Sequence, residues 1–137
     1  MRIPRTLLTL FALLMMFAVP VEGADFLKGL KAAKRGDFTT ALREWKPLAE
    51  QGDAFAQYSL GWMYENGQGV LQDFKTAVKW YTRAAMQGND RAQYNLGLMY
   101  FEGQGVLQNY KTALKWFTLA AERGNASAQS KLGVMYF

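Results

Sequence analysis

At 137 residues, with 16 basic and 11 acidic side chains and a net charge of +5, the chain has room for one domain, and its cations are too dispersed for a nucleic-acid footprint. It contains neither histidine nor cysteine, which removes the commonest general base, the commonest metal ligand, the best soft nucleophile and every disulfide. Catalysis would have to rest on carboxylates, lysine or serine.

Residues 1–23 read as a secretory signal peptide: Arg2 and Arg5 flank the apolar run Leu7 to Val19, and Pro20 breaks it. Val21 and Gly23 are small enough to precede a cut that leaves Ala24 as the new N-terminus. The run is shorter than the roughly 20 residues of a spanning helix, so no stable membrane span is expected after cleavage. Export, to the periplasm or outside the cell, rests on this leader alone. Its removal takes away Arg2, Arg5 and Glu22, leaving 14 basic and 10 acidic residues, a net +4. The remaining lysines, among them Lys28, Lys31, Lys34, Lys75 and Lys79, are spaced as on solvated helix faces, and no nucleic-acid partner is expected.

Residues 24–51 read as two helices. Phe26, Leu30 and Ala33 share one face of the first, Asp25 to Arg35, and Gly36 ends it. Asp37 can cap the second, whose stripe is Ala41, Leu42, Trp45, Leu48 and Ala49. Pro47 lies inside that stripe, and a kink or an early end to regularity is expected near Arg43 to Lys46.

Residues 52–87 and 88–123 are then two copies of one unit, identical without a gap at 22 of 36 positions, and residues 124–137 begin a third. Such a period marks a stacked repeat array. First helices are expected from about Ala54 to Glu65 and Arg91 to Glu102, capped by Asp53 and by Asn89 or Asp90. Their buried stripes are Ala56, Leu60, Met63, Tyr64 and Ala92, Leu96, Met99, Tyr100. Gly61, Gly97 and Gly133 lie inside helices, each at a cost of about 1 kcal/mol relative to alanine. Close approach of Ala77 to Gly61 and of Ala113 to Gly97 is the expected compensation. Gly67 and Gly103 suit a left-handed helix end, Val70 and Val106 turn inward as plugs, and Asp73 and Asn109 cap second helices. Those helices bury Ala77, Trp80, Tyr81, Ala84, Ala85 and Ala113, Trp116, Phe117, Ala120, Ala121.

The pattern set by Ala56, Leu60, Gly61, Tyr64, Gly67, Gly69, Val70, Asp73, Ala77, Trp80, Ala84, Ala85 and Gly88 resembles the Sel-1-like repeats, a branch of the tetratricopeptide-like helical repeats. The second copy matches as well, with Asn109 in the aspartate's place, and residues 24–51 resemble a plainer tetratricopeptide-like pair. The resemblance implies an all-α fold, a right-handed α-solenoid of antiparallel helix pairs that acts as a non-enzymatic adaptor for a partner protein or peptide. Some exported proteins similar to this one carry a cysteine pair per repeat and are associated with penicillin binding or β-lactam hydrolysis. This chain has no cysteine, so that hydrolase reading is disfavoured.

No catalytic, cofactor or metal residues are assigned. Glu65 and Asp73 are the only acid cluster near a loop, and capping accounts for Asp73. Gly67-Gln68-Gly69 and Gly103-Gln104-Gly105 lack the preceding strand and the Lys-Ser or Lys-Thr pair of a phosphate loop, and read as turns. Carrying over the tetratricopeptide geometry places Phe55, Tyr58, Trp62, Arg91, Tyr94, Leu98 and Phe101 on the concave face, an aromatic groove with one guanidinium of the composition favoured at interaction hot spots. In the third unit, Leu132, Met135, Tyr136 and Phe137 have no second helix to cover them. Either this half-repeat is a cap, with Ser127, Ser130 and Lys131 outermost, or its open end pairs with another copy or a partner.

Overall fold

The structure, a computed structural model, describes residues 23–137, so all of the expected leader but Gly23 lies outside the described residues. Those residues form seven helices and no strand: α1 (Phe26–Lys34), α2 (Phe38–Glu50), α3 (Ala54–Asn66), α4 (Phe74–Met86), α5 (Asp90–Glu102), α6 (Tyr110–Glu122) and α7 (Ala126–Tyr136). Each helix starts where the sequence supplies an acceptor. Asp25, Asp37, Asp53, Asp73, Asn89, Asn109 and Asn125 accept a first-turn backbone N–H at 2.8–3.2 Å, a bond worth about 1 kcal/mol per helix. α3 and α5 end at Gly67 and Gly103, whose φ of 64° and 71° falls where a side chain would be strained.

Packing runs between consecutive helices, with a further contact between α3 and α5. The short turns at 35–37, 51–53, 87–89 and 123–125 oblige neighbouring helices to run antiparallel. The result is an α-solenoid: three helix pairs, α1–α2, α3–α4 and α5–α6, followed by α7. Its core is a row of alanines and large side chains, with Tyr81, Phe117, Leu60, Met63, Leu96 and Met99 all fully buried. Val70 and Val106 are half-buried against this core, as are Tyr64, Trp80, Tyr100 and Trp116.

The glycines inside the helices pack differently from expectation. Gly61 faces the ring of Tyr81, not Ala77: a methyl group there would lie 2.5 Å from Tyr81 Cδ1. Gly97 faces Phe117 in the same way, with 2.6 Å to Cε1, and Gly29 faces the indole of Trp45. The ring lies across the bare backbone of the facing helix, a position that any side chain would occupy. Gly133 has nothing within 4 Å.

Pro47 does not end α2, which stays helical to Glu50. The missing N–H removes one backbone bond, while Trp45 and Ala49, on either side of it, are held in the core. Joints between pairs use glutamine amides, buried at Gln57 and Gln93 and exposed at Gln129. Gln57 Nε2 donates to Ala49 O at 3.0 Å, Gln93 Nε2 to Ala85 O at 3.1 Å and Gln129 Nε2 to Ala121 O at 3.2 Å. Gln87 Nε2 donates to Gln57 Oε1 at 2.8 Å, whereas Arg123 stands at the matching place one repeat on and Gln93 Oε1 has no partner among the described residues. Glu44, 5% exposed, ties the first pair together by accepting from Asp25 N at 3.0 Å and Lys28 Nζ at 3.2 Å.

Two outcomes follow from this packing. Gly97→Ala should destabilise the chain by about 1–3 kcal/mol, because the Phe117 ring must move, whereas Gly133→Ala should stabilise it by up to about 1 kcal/mol, since only helix propensity changes; denaturant melts of both variants check the contrast. The second concerns pH. The Asp25 amide and then Lys28 hold the Glu44 carboxyl below its ordinary value, and the Thr40 and Thr76 hydroxyls, followed by their amides, do the same for Asp37 and Asp73. A lowered folded value means that the stabilisation is complete above the unfolded carboxylate range, near about pH 4, and is lost as pH falls through the folded values. The thermal midpoint should therefore drop on acidification below about pH 4, and Glu44→Gln should make that drop shallower.

Candidate interaction surface

The seven residues expected on the inner face lie on α3 (Phe55, Tyr58, Trp62) and α5 (Arg91, Tyr94, Leu98, Phe101). Phe55, 64% exposed, and Arg91 stand out in solvent; the other five are half-buried. Tyr58 and Tyr94 pack on the second-helix rings Tyr81 and Phe117, at centroid distances of 5.9 and 5.7 Å. Trp62 leans on Phe38 at 5.9 Å, and Phe55 reaches Phe26 at 6.1 Å. Phe101 meets Tyr110 edge-on at 5.1 Å, and Lys131 Nζ lies 4.1 Å above its ring.

Of these side chains, Tyr58 and Trp62 line one hollow and Tyr94 another. Trp62, Tyr58 and Ser59 of α3 wall a pocket of about 280 Å³ whose remaining lining comes from α1 and α2: Leu30, Ala33, Phe38 and Trp45, with Lys34. Ser59, the other polar lining residue, donates its hydroxyl to Phe55 O at 2.8 Å. Lys34 is in no ion pair among the described residues, so the pocket offers an aromatic wall and one ammonium. A shallower hollow of about 350 Å³ joins Tyr94 to Ser127, Ser130, Lys131 and Val134 of α7. Ser127 and Ser130 are exposed, and the ammonium of half-buried Lys131 lies over the Phe101 ring. A third hollow, about 680 Å³, lies along α4 beside Trp80, with the Arg83 guanidinium 4.8 Å from that ring.

Between the α3–α4 and α5–α6 pairs lies a polar trio that the sequence reading did not assign. Tyr81 Oη donates to Glu65 Oε2 at 2.5 Å and accepts from Asn95 Nδ2 at 3.1 Å. Burial pushes the Tyr81 phenol far above its ordinary value, and the Glu65 carboxylate adds to the shift. Burial also raises Tyr58, with the Arg91 cation opposing it. One repeat later the same three positions hold Phe101, Phe117 and Lys131. A hydrogen-bonded junction is replaced by an aromatic and cationic one. Glu65 is therefore committed to Tyr81, and Asp73 to Thr76, whose amide and hydroxyl it accepts from at 3.2 and 2.7 Å.

Among the described residues no helix is long and apolar enough to cross a membrane, and no group of three or more acidic, histidine or cysteine side chains could hold a metal ion.

The chain matches the Sel1 repeat family over residues 54–89, 90–125 and 126–137, each segment opening at the first residue of α3, α5 or α7. It is similar in structure to a Sel1 repeat protein from Oxalobacter formigenes, with 35% identity and a TM-score of 0.78 over 81% of this chain and 46% of that one. A protective antigen of uropathogenic Escherichia coli with this repeat fold is 38% identical, with a TM-score of 0.77 over 81% of this chain and 25% of the other. The cysteine-rich protein B of Helicobacter pylori is 25% identical, with a TM-score of 0.61 over 74% and 87% of the two chains. The chain thus spans less than half the length of the first two. No curated protein matches it.

Tyr81→Phe should cost about 1–3 kcal/mol, because it leaves Glu65 and Asn95 without their shared partner. The triple change Glu65→Phe, Tyr81→Phe, Asn95→Lys copies the next junction and should recover most of that loss. The recovery, read as non-additivity above about 0.5 kcal/mol in denaturant melts, checks that the three act as one unit.

Proposed function

The chain belongs to the Sel1 repeat family, and on that footing we propose that it is a non-enzymatic adaptor, exported to the cell envelope, that holds a partner protein or peptide against the α3 and α5 face. The observation that carries the reading is the pocket between α1, α2 and α3. Its walls of Trp62, Tyr58, Phe38 and Leu30 suit an apolar side chain of the partner, and Lys34 at that pocket and Arg91 on α5 favour a partner with acidic residues beside it. Exposed Phe55 extends the apolar surface along α3. Aromatic residues and arginine dominate the energy of protein interfaces, and here they stand on rigid helices, so little conformational entropy is lost when they are covered. The absence of histidine and cysteine supports a binding role over a catalytic one, and the leader supports export.

A photo-crosslinking amino acid placed at Phe55, Trp62 or Leu98 should give a discrete protein adduct in cells. The same group at Lys79 or Lys115, exposed on α4 and α6, should give none. Equal adducts from both sets, or none from the first, would overturn the assignment of the face. Intact mass of the envelope fraction checks export, the expected species beginning at Ala24.

A further inference from the structure

The first helix pair keeps a buried carboxylate beside the point where the proposed cut would place a new charge. Glu44 of α2 is 5% exposed. Among the described residues one cation lies within ion-pair distance of it, Lys28 Nζ at 3.2 Å from Oε1, on a side chain that is itself 57% exposed. The other oxygen, Oε2, accepts from the Asp25 backbone N–H at 3.0 Å. A carboxylate offers about four acceptor positions, and these two bonds use half of them. The chain beside Asp25 is pinned to α2: the Trp45 indole N–H donates to Phe26 O at 3.1 Å, and the Phe26 and Trp45 rings stack with centroids 5.8 Å apart. Consecutive backbone nitrogens are no more than about 3.7 Å apart, so the nitrogen of Ala24 lies within about 7 Å of Glu44 Oε2.

We infer that Glu44 is the acceptor for the α-ammonium that removal of the leader exposes at Ala24, so that the first helix pair reaches full stability only in the cut chain. In the uncut chain the Ala24 nitrogen is an uncharged amide with one N–H. Hydrolysis of the Gly23–Ala24 bond puts the hydroxyl of water on the Gly23 carbonyl carbon and leaves an amine on Ala24. An α-amine titrates near about pH 8, so at neutral pH it binds a proton and becomes a cation with three donors. One rotation about the Cα–C bond of Ala24 swings that cation toward Oε2 without moving Asp25. Gly23 is exposed, with nothing within 4 Å of the place a side chain would take, so the bond stands clear of the helices. The helix dipole alone gives the opposite expectation. A cation one residue before the cap of α1 meets the positive end of that helix, which would make the cut destabilising; an opposite charge at short range reverses the sign. The inference rests on the proposed cut at Ala24 and not on the pocket at Trp62.

The test compares thermal melts at pH 7 of the chain from Ala24 to Phe137 with a free amine, the same chain acetylated at Ala24, and the same chain with two glycines added before Ala24. The free-amine form should melt about 3 °C or more above the other two. Glu44→Gln, which keeps an acceptor for the Asp25 amide but removes the charge, should abolish the gap. An acetylated form that melts as high or higher would overturn the inference, and so would a gap that persists in Glu44→Gln, which would give the ammonium to the Asp25 carboxylate. These melts do not depend on where the cell cuts. A native species shown by intact mass to begin elsewhere than Ala24 would also overturn the inference while leaving the adaptor reading intact, whereas absence of the gap in a chain that does begin there would leave the export reading intact.

Discussion

The seating of an aromatic ring on a bare glycine backbone sets the distance between the two helices of every pair, and the rest of the stack is built to that distance. The energies give the sign. A glycine in a helix costs about 1 kcal/mol, whereas full burial of a phenylalanine or tyrosine ring contributes about 1.5–3 kcal/mol, so the exchange is favourable once per pair. The loops then close to the same spacing. Asp73 N donates to Tyr64 O at 2.9 Å and Asn109 N to Tyr100 O at 2.8 Å, which brings each second helix back along the first at the point where its ring meets the glycine.

With the glycine contact fixed, the residues around the ring are free to differ. At one junction the ring carries a hydroxyl shared between Glu65 and Asn95; at the next it has none, and Phe101 and Lys131 close over it. The same backbone geometry therefore presents a polar junction beside Tyr58 and Arg91 and an aromatic, cationic one beside Tyr94. The first pair differs again, since its ring is Trp45, whose indole N–H donates to Phe26 O at 3.1 Å. The pocket at Trp62 arises from this irregularity, because α1 is shorter than α3 and α5 and leaves Phe38 and Trp62 to face each other.

Features governed by local rules could be read from the sequence. The caps at Asp37, Asp53, Asp73 and Asn109, the pair Asn89 or Asp90, and the left-handed Gly67 and Gly103 all depend on neighbours within a few residues. The glycine partners could not be read in this way. Ala77 and Tyr81 lie one turn apart on the same face of α4, and spacing says that both are buried without saying which of them crosses the axis of α3. Lys131 shares one hollow with Ser127 and Ser130, and its ammonium also meets the face of Phe101, a neighbour that its position in the chain does not reveal. Gln57 and Gln93 were visible as repeated residues but carried no sign of burial, since a glutamine in an apolar stripe reads as solvent until the carbonyl it reaches is known. The pocket was half legible: Tyr58 and Trp62 came from the first helices of the repeats, but Leu30, Phe38 and Trp45 belong to the degenerate pair, where the repeat pattern gives no guide to an inner face. The early end expected at Pro47 does not occur, because a single lost backbone bond is small beside the burial of Trp45.

The glutamine joints have a wider consequence. Gln57, Gln93 and Gln129 each reach back to the carbonyl eight residues earlier, so one repeat is coupled to the one before it through backbone atoms that every residue type supplies. The coupling is indifferent to what the neighbouring unit presents to solvent. In genetic terms such a joint tolerates in-frame duplication: an extra unit arrives with its own cap, ring, glycine and glutamine, and lengthens the stack while leaving existing contacts intact. Side chains that the joint does not use are then free to differ copy by copy, as Trp62 does from Leu98.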